Sequence, residues 1–252
     1  MRKLKNRTAA VTGGGGCIGS EICRKLAEQG ANIAVVDIRR EVADATADSI
    51  RAAGGTAESF VADITDYAAV VKLMDSIAER FGSVDILVNV AGGSARAKCR
   101  EFKDQEMEVM EDVLKMNVLS ALCCTRAVVN RMVEAKWGKI IFIGSSVGIG
   151  GLPYCTEYAA SKGAIFSSPA RLRWSLDRTI STSTAFRPAS CRVRKRNAHT
   201  AKRRNGPRAK KAGRHASASP RISQTWSSIS ARRKRNISSV RILSWTADAP
   251  SD

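Results

Sequence analysis

Thr8-Ala-Ala-Val-Thr-Gly-Gly-Gly-Gly-Cys-Ile-Gly19 is the stretch whose reading decides the fold. Thr8 to Thr12 is a short apolar strand that ends in glycines. From Gly19 to Gln29, Ile22, Leu26 and Ala27 recur at helical spacing, and Gly30 stops the run. Glycines at such a junction let the backbone turn tightly and approach a pyrophosphate. The helix amino terminus attracts that anion through its free N–H groups and its dipole. A glycine run by itself is a weak signal, because glycines also make ordinary turns. Between a strand and a helix it is a strong one, and it makes Gly13, Cys17, Ile18 and Gly19 candidate binding residues.

The same alternation continues outward. Asn32 to Asp37 and Ala57 to Ile64 read as strands, with a helix from Glu41 to Ala53 between them. Asp66 to Phe81 carries Val70, Leu73, Met74 and Ile77 on one helical stripe, and Gly82 closes it. Asp85 to Ala91 is a fourth strand, Glu106 to Ala135 a long helical stretch and Lys139 to Gly144 a fifth strand; from Glu157 the chain turns helical again. Near-continuous β-branched strands, each followed by a helix, predict an α/β fold: a Rossmann-like, doubly wound parallel sheet covered on both faces. Ligands of such sheets bind at the carboxyl ends of the strands.

Composition narrows the function. A chain of 252 residues is long enough for one α/β domain with a sizeable core. No apolar run approaches the ~18 residues of a membrane helix, and the basic start leads too soon into glycines for a signal-peptide core. The expectation is a cytoplasmic protein. Its 7 Cys contain no C-x-x-C pair, so reduced, mostly buried thiols are expected. Both histidines, His199 and His215, lie in the last third, so neither a His-based triad nor a His-rich metal site can be built from the earlier part. No metal is expected.

Asp37 ends the second strand, where a carboxylate can accept both ribose hydroxyls of an adenosine and would repel a 2′-phosphate. NAD is therefore favoured over NADP, although Arg39 and Arg40 could hold that phosphate and Asp37 could simply cap the next helix. Tyr158 and Lys162 stand i,i+4 on a helix, their Cβ atoms roughly 6 Å apart, and an ammonium beside a phenol favours the phenolate. Such a tyrosine can give a proton to a carbonyl oxygen, or take one from an alcohol, as hydride moves. Ser145, 13 residues before Tyr158 and at the end of the fifth strand, can hydrogen-bond the same oxygen. A bare Y-x-x-x-K is common on helix surfaces. Ser145 and the glycine loop, each at the end of its own strand, give this one meaning.

With Tyr158-Ala-Ala-Ser-Lys162, Ser145 and the glycine loop in place, the chain resembles the short-chain dehydrogenase/reductase family through Phe166. The resemblance implies that Asn89, Ala91 and Gly92 support the cofactor floor and that Asp63 and Ile64 contact the adenine. It implies that Asn117 holds a water in the proton relay, and that Ser145 positions the substrate oxygen. Tyr158 would be the acid/base, and Lys162 would bind the nicotinamide ribose. It also implies a small alcohol or ketone substrate and a homo-oligomer. Two positions depart: Cys17 stands where the family has glycine, and Val90 where it has a second asparagine.

The last third reads differently. Residues 1–166 carry 21 Lys+Arg against 20 Asp+Glu, whereas residues 167–252 carry 21 against 3. One reading is a disordered basic arm for nucleic acid or acidic partners, although no aromatic interleaving or folded reader motif accompanies it. A catalytically silent cofactor-binding module is a further alternative. Another reading uses the genetic code. Back-translated as ACA ATA TCA ACG TCA ACT GCG TTT CGC CCG and read from the third base, Thr179 to Pro188 yields Asn-Ile-Asn-Val-Asn-Cys-Val-Ser-Pro, the family's missing turn. In the same phase Val240 to Asp248 permits Gln-Asp-Ile-Val-Val-Asp-Gly-Gly, a family-like last strand. The loss of one base at the codon of Ser167 or Ser168 accounts for both, so the basic tail reads as a frame-shifted replacement of the last elements and the substrate lid. On this reading Pro169 interrupts the catalytic helix at a cost of about 3 kcal/mol, the sheet lacks its last two strands, and the family's oligomer is not expected to form.

Overall fold

The computed structural model describes residues 3–175, 180–185 and 242–243. Its elements follow the alternation of the sequence: β1 (Thr8–Thr12), α1 (Cys17–Glu28), β2 (Asn32–Asp37), α2 (Arg40–Ala52), β3 (Thr56–Val61), α3 (Tyr67–Phe81) and β4 (Ile86–Asn89). Then come α4 (Met107–Leu114), α5 (Ser120–Glu134), β5 (Gly138–Ile143), the single turn α6 (Val147–Gly150), α7 (Thr156–Ser175), β6 (Ile180–Ala185) and the two-residue β7 (Ile242–Leu243). All strand pairs are parallel, in the order β3-β2-β1-β4-β5-β6-β7. The chain builds leftward from β1, then crosses back to lay β4 on the other side. A cleft opens at that switch point, above the carboxyl ends of β1 and β4.

Both faces of the sheet are buried, as the uninterrupted apolar strands require. One layer packs Val70, Leu73, Met74 and Ile77 of α3 with Val128 and Met132 of α5 against Leu87, Ile140 and Phe142. The other packs Ile22 and Leu26 of α1 with Ala47 and Ile50 of α2 against Val11, Ile33, Val35 and Val88. Asp66 caps α3 by accepting from the Ala68 N–H at 2.9 Å, and Gly82 ends it at φ +85°, a conformation disfavoured for side-chain-bearing residues. Among the described residues no helix is long and apolar enough to cross a membrane.

The stretch from Glu106 to Ala135 is helical as expected, and within it residues Lys115–Leu119 form a π-helical turn between α4 and α5. Pro169, against expectation, does not end α7, which continues to Ser175 with the proline inside it. A proline removes the N–H that would bond the carbonyl four residues back, here that of Ile165. The Thr184 hydroxyl of β6 donates to the Ile165 carbonyl at 3.4 Å, and the Thr182 hydroxyl donates to that of Pro169 at 2.8 Å. Ile180, Thr182 and Thr184 are the inward, buried positions of β6. The sheet therefore has a sixth strand and a two-residue seventh, and the packed region passes Phe166, reaching Ile180. The rest of the expected basic tail, 176–179, 186–241 and 244–252, lies outside the described residues.

Candidate active site

The cleft has a volume of about 420 Å³ and is built from four strand ends. Gly13 leaves β1 at φ +64°, and a Cβ there would sit 2.9 Å from the Ala91 Cα, so only glycine lets this turn touch the segment after β4. At Gly19 a Cβ would drive into the Gly13 carbonyl, which closes loop and helix on each other. Gly16 caps α1 without any side-chain bond at the amino end, where Cys17, Ile18 and Gly19 line the cleft. Cys17, which stands where glycine was expected, is exposed and part of the cleft lining.

Asp37 forms the far wall. Its carboxylate accepts from the Gly15 N–H at 3.1 Å and from the Arg39 N–H at 3.1 Å, and the Arg39 Nε is 3.9 Å away. Each oxygen keeps a further lone pair for an incoming hydroxyl. Asp63 and Ile64, with Ala62, make the side wall beyond β3. The Thr65 backbone and side chain both bond Asp63 and hold its carboxyl below the usual range. Ala91 and Gly92 form the floor, and Thr12 sets their path: its hydroxyl accepts from the Val90 N–H at 3.2 Å and the Ala91 N–H at 3.3 Å. Asn89, by contrast, is not on the wall. It is buried beneath the floor, donating to the Thr125 hydroxyl at 3.4 Å.

The remaining candidates gather at the β4–β5 end. Asn117 sits in the π-helical turn, and its amide donates to the carbonyls of Val113 and Gly93 at 2.8 Å each. Those two acceptors orient the amide, so its Oδ1, buried and without a partner, faces Gly92. A π turn of this kind typically marks a functional site, because it frees carbonyls and re-aims side chains. Lys162 is buried. Its Nζ donates to the Ile143 carbonyl at 3.0 Å and lies 5.7 Å from the centre of the Tyr158 ring. The same ammonium is 3.7 Å from where a Cβ of Gly92 would be, so it adjoins the cleft floor. Ser145 is buried at the end of β5, its hydroxyl accepting from the Val147 N–H at 3.3 Å. The turn α6 then meets α7 backbone to backbone: a Cβ on Gly148 would lie 2.6 Å from the Lys162 carbonyl carbon.

Sequence reasoning missed Thr12 as the positioner of the floor, and Met116, Val36 and Ile38 as wall residues. The first two had a signal, since Thr12 ends β1 beside the glycines and Met116 precedes Asn117.

An open parallel sheet with a glycine-turned helix terminus at its switch point, and a tyrosine–lysine pair beyond it, defines a dinucleotide-binding α/β protein with a candidate acid/base. Comparison with known proteins narrows this class. The family model described as short chain dehydrogenase matches residues 7–194, and the chain belongs to that family. The match crosses Ser167, further than the motifs alone carry it. A short chain dehydrogenase of Pseudocercospora fijiensis is 35% identical over 188 residues, 75% of this chain and 60% of that protein. The (2S)-[(R)-hydroxy(phenyl)methyl]succinyl-CoA dehydrogenase subunit of Thauera aromatica is 32% identical over 73% of each chain. The 2,3-dihydro-2,3-dihydroxybenzoate dehydrogenase of Bacillus subtilis is 35% identical, with 60% of its length covered, so the chain spans less than two thirds of two of these relatives. Among solved structures, an NAD+-bound xylitol dehydrogenase superposes with a TM-score of 0.71 at 32% identity, over 74% of this chain and 71% of that one.

Proposed function

We propose that this chain carries the site of an NAD-dependent oxidoreductase that interconverts a secondary alcohol and a ketone. The observation that carries the reading is the run of one cleft from Asp37, past the uncapped terminus of α1, to the floor at Gly92 beside Lys162. The residues fit a dinucleotide: glycines where a Cβ would collide, a helix terminus capped by glycine without a side-chain bond, and a carboxylate with spare lone pairs at the far end. When bound, that cofactor supplies or accepts the hydride. Asp37 would accept the adenosine ribose hydroxyls, and the first-turn N–H groups would hold the pyrophosphate. Lys162 would hold the second ribose, and the Tyr158 oxygen would give or take the proton. The Ser145 hydroxyl would hold the substrate oxygen in line, and Asn117 Oδ1 would accept from a water behind Lys162. The relatives' names share the word dehydrogenase and differ in substrate, which fits a common chemistry with variable specificity.

We infer further that the codons from Ser167 or Ser168 onward are read one base out of frame. The charge step at that point and the two family-like motifs hidden in one phase support this. The chemistry is tested in the frame-restored chain. Tyr158→Phe should abolish turnover and leave NADH affinity nearly intact, whereas Lys162→Ala should lower both. Most activity surviving in Tyr158→Phe would remove the acid/base assignment.

A further inference from the structure

Outside the cleft, two thiols that are 56 positions apart in sequence face each other: Cys99 Sγ and Cys155 Sγ are separated by 3.3 Å. Cys99 belongs to the connection between β4 and α4 and is partly exposed. Cys155 is 3% exposed and directly precedes α7, its carbonyl accepting the Ala159 N–H. Cys99 Sγ also lies 3.4 Å from the Ser94 carbonyl and 4.0 Å from Glu157 Oε1, so the sulfur is held from three sides. Two residues near this contact adopt left-handed backbone despite bearing side chains, Ala95 at φ +45° and Tyr154 at φ +61°. Strain of that kind persists only where the surrounding structure over-determines it. A disulfide needs its sulfurs at about 2.05 Å, and small side-chain rotations could close a gap of this size.

We propose that Cys99 and Cys155 form a reversible dithiol pair, closed to a disulfide by a peroxide, that ties the β4–α4 connection to the start of the helix carrying Tyr158. The order of steps follows from access. Burial, with the neighbouring Cys99 and Glu157, pushes the Cys155 thiol up to about 11, against a weaker opposing effect of Arg96. Cys99, the more accessible sulfur, therefore reacts first. Its thiolate attacks one peroxide oxygen, the O–O bond breaks, and Cys99 sulfenic acid and water form. The Cys155 sulfur then attacks the Cys99 sulfur. The S–S bond forms as the S–O bond breaks, and the hydroxyl leaves as a second water with the Cys155 proton. The two thiols lose two electrons and two protons, and the peroxide is reduced to two waters. Cys23 and Cys124, buried thiols pushed up to about 12, should stay untouched and act as internal standards.

The test uses the full 252-residue chain. It is treated with hydrogen peroxide, quenched with acid, alkylated and mapped by mass spectrometry. The expected result is one cross-link joining the Cys99 and Cys155 peptides, about 2 Da lighter than the reduced pair and reversed by dithiothreitol. In Cys155→Ser, Cys99 should stop at a sulfenic acid that dimedone traps; in Cys99→Ser, Cys155 should remain a thiol. Cys99 and Cys155 both still alkylatable in the oxidised wild-type chain would overturn the proposal. So would a cross-link from Cys99 to any other cysteine. The wild-type map decides the matter even if a serine variant fails to fold.

Discussion

Asp37 has two duties. It accepts from the N–H groups of Gly15 and Arg39, which shapes the turn, and it offers its remaining lone pairs to the cleft. Substitution should separate them. Asp37→Ala loses both backbone bonds and the charge, so it should cost about 1–3 kcal/mol of stability and narrow the preference for NADH over NADPH. Asp37→Asn keeps an acceptor and a similar shape, so stability should largely survive while the preference narrows. Paired denaturation curves and cofactor titrations on the frame-restored protein measure both. Equal affinity for the two cofactors in the unsubstituted protein would remove the ribose role from Asp37 and make Arg39 and Arg40 the discriminating residues. At this scale the sequence was informative wherever one residue type in one place had a chemical meaning. The glycines and Asp37 stand at strand ends where the alternation pattern puts them, and Tyr158 and Lys162 stand four apart on the expected helix. Asn89 was harder to read: it ends β4, and its side chain turns down toward Thr125 beneath the floor that the resemblance has it support. The contact of Cys99 with Cys155 left no trace in spacing, because only the fold brings the two segments together.

Among elements, α7 and β6 depend on each other. The proline at 169 strips a helical bond from the Ile165 carbonyl, and an inward threonine of β6 donates there instead. Pro169→Ala should return an N–H to that carbonyl and raise stability by about 1–3 kcal/mol. Thr184→Val should cost about 0.5–1.5 kcal/mol in the original chain and clearly less in the Pro169→Ala background. Equal costs in both backgrounds would show that the hydroxyl does not compensate the proline. The helices and strands through β5 could be read because their apolar periods and glycine stops agree with one another. The π-helical turn at Lys115–Leu119 could not, since one extra residue barely disturbs the apolar stripe that continues into Val128 and Met132. Pro169 misled for another reason. Local propensity predicts a break, but the threonines that offset it come from a later strand and do not show in the helix's own sequence.

The whole molecule has an uneven charge, near balance up to Phe166 and strongly basic after it. The frame-slip reading predicts what repair should do. Restoring one base at the codon of Ser167 or Ser168 should remove Pro169 and most of the excess charge. The repaired chain should turn over a secondary alcohol with NAD, and the 252-residue chain should be slower by roughly 100-fold or more, since an ångström of misplacement is enough for such a loss. Steady-state assays of the two chains side by side decide the point. Comparable turnover by the unrepaired chain would defeat the frame slip and favour a basic segment with a purpose of its own. The strand Ile180–Ala185 in the sheet does not depend on that outcome, because ladder bonds are made by the backbone and alternate threonines suit a half-buried strand.

The crossing of Gly148 over Lys162 and Gly163 contains no side chain on the α6 side, so mutation has little there to adjust. The spacing between Ser145 and the helix bearing Tyr158 and Lys162 is thus set by two backbones in touch, much as a jig sets two tools. Residues elsewhere around the mouth can be exchanged without moving that reference. A part fixed in this way holds its dimension whatever the side chains around it become.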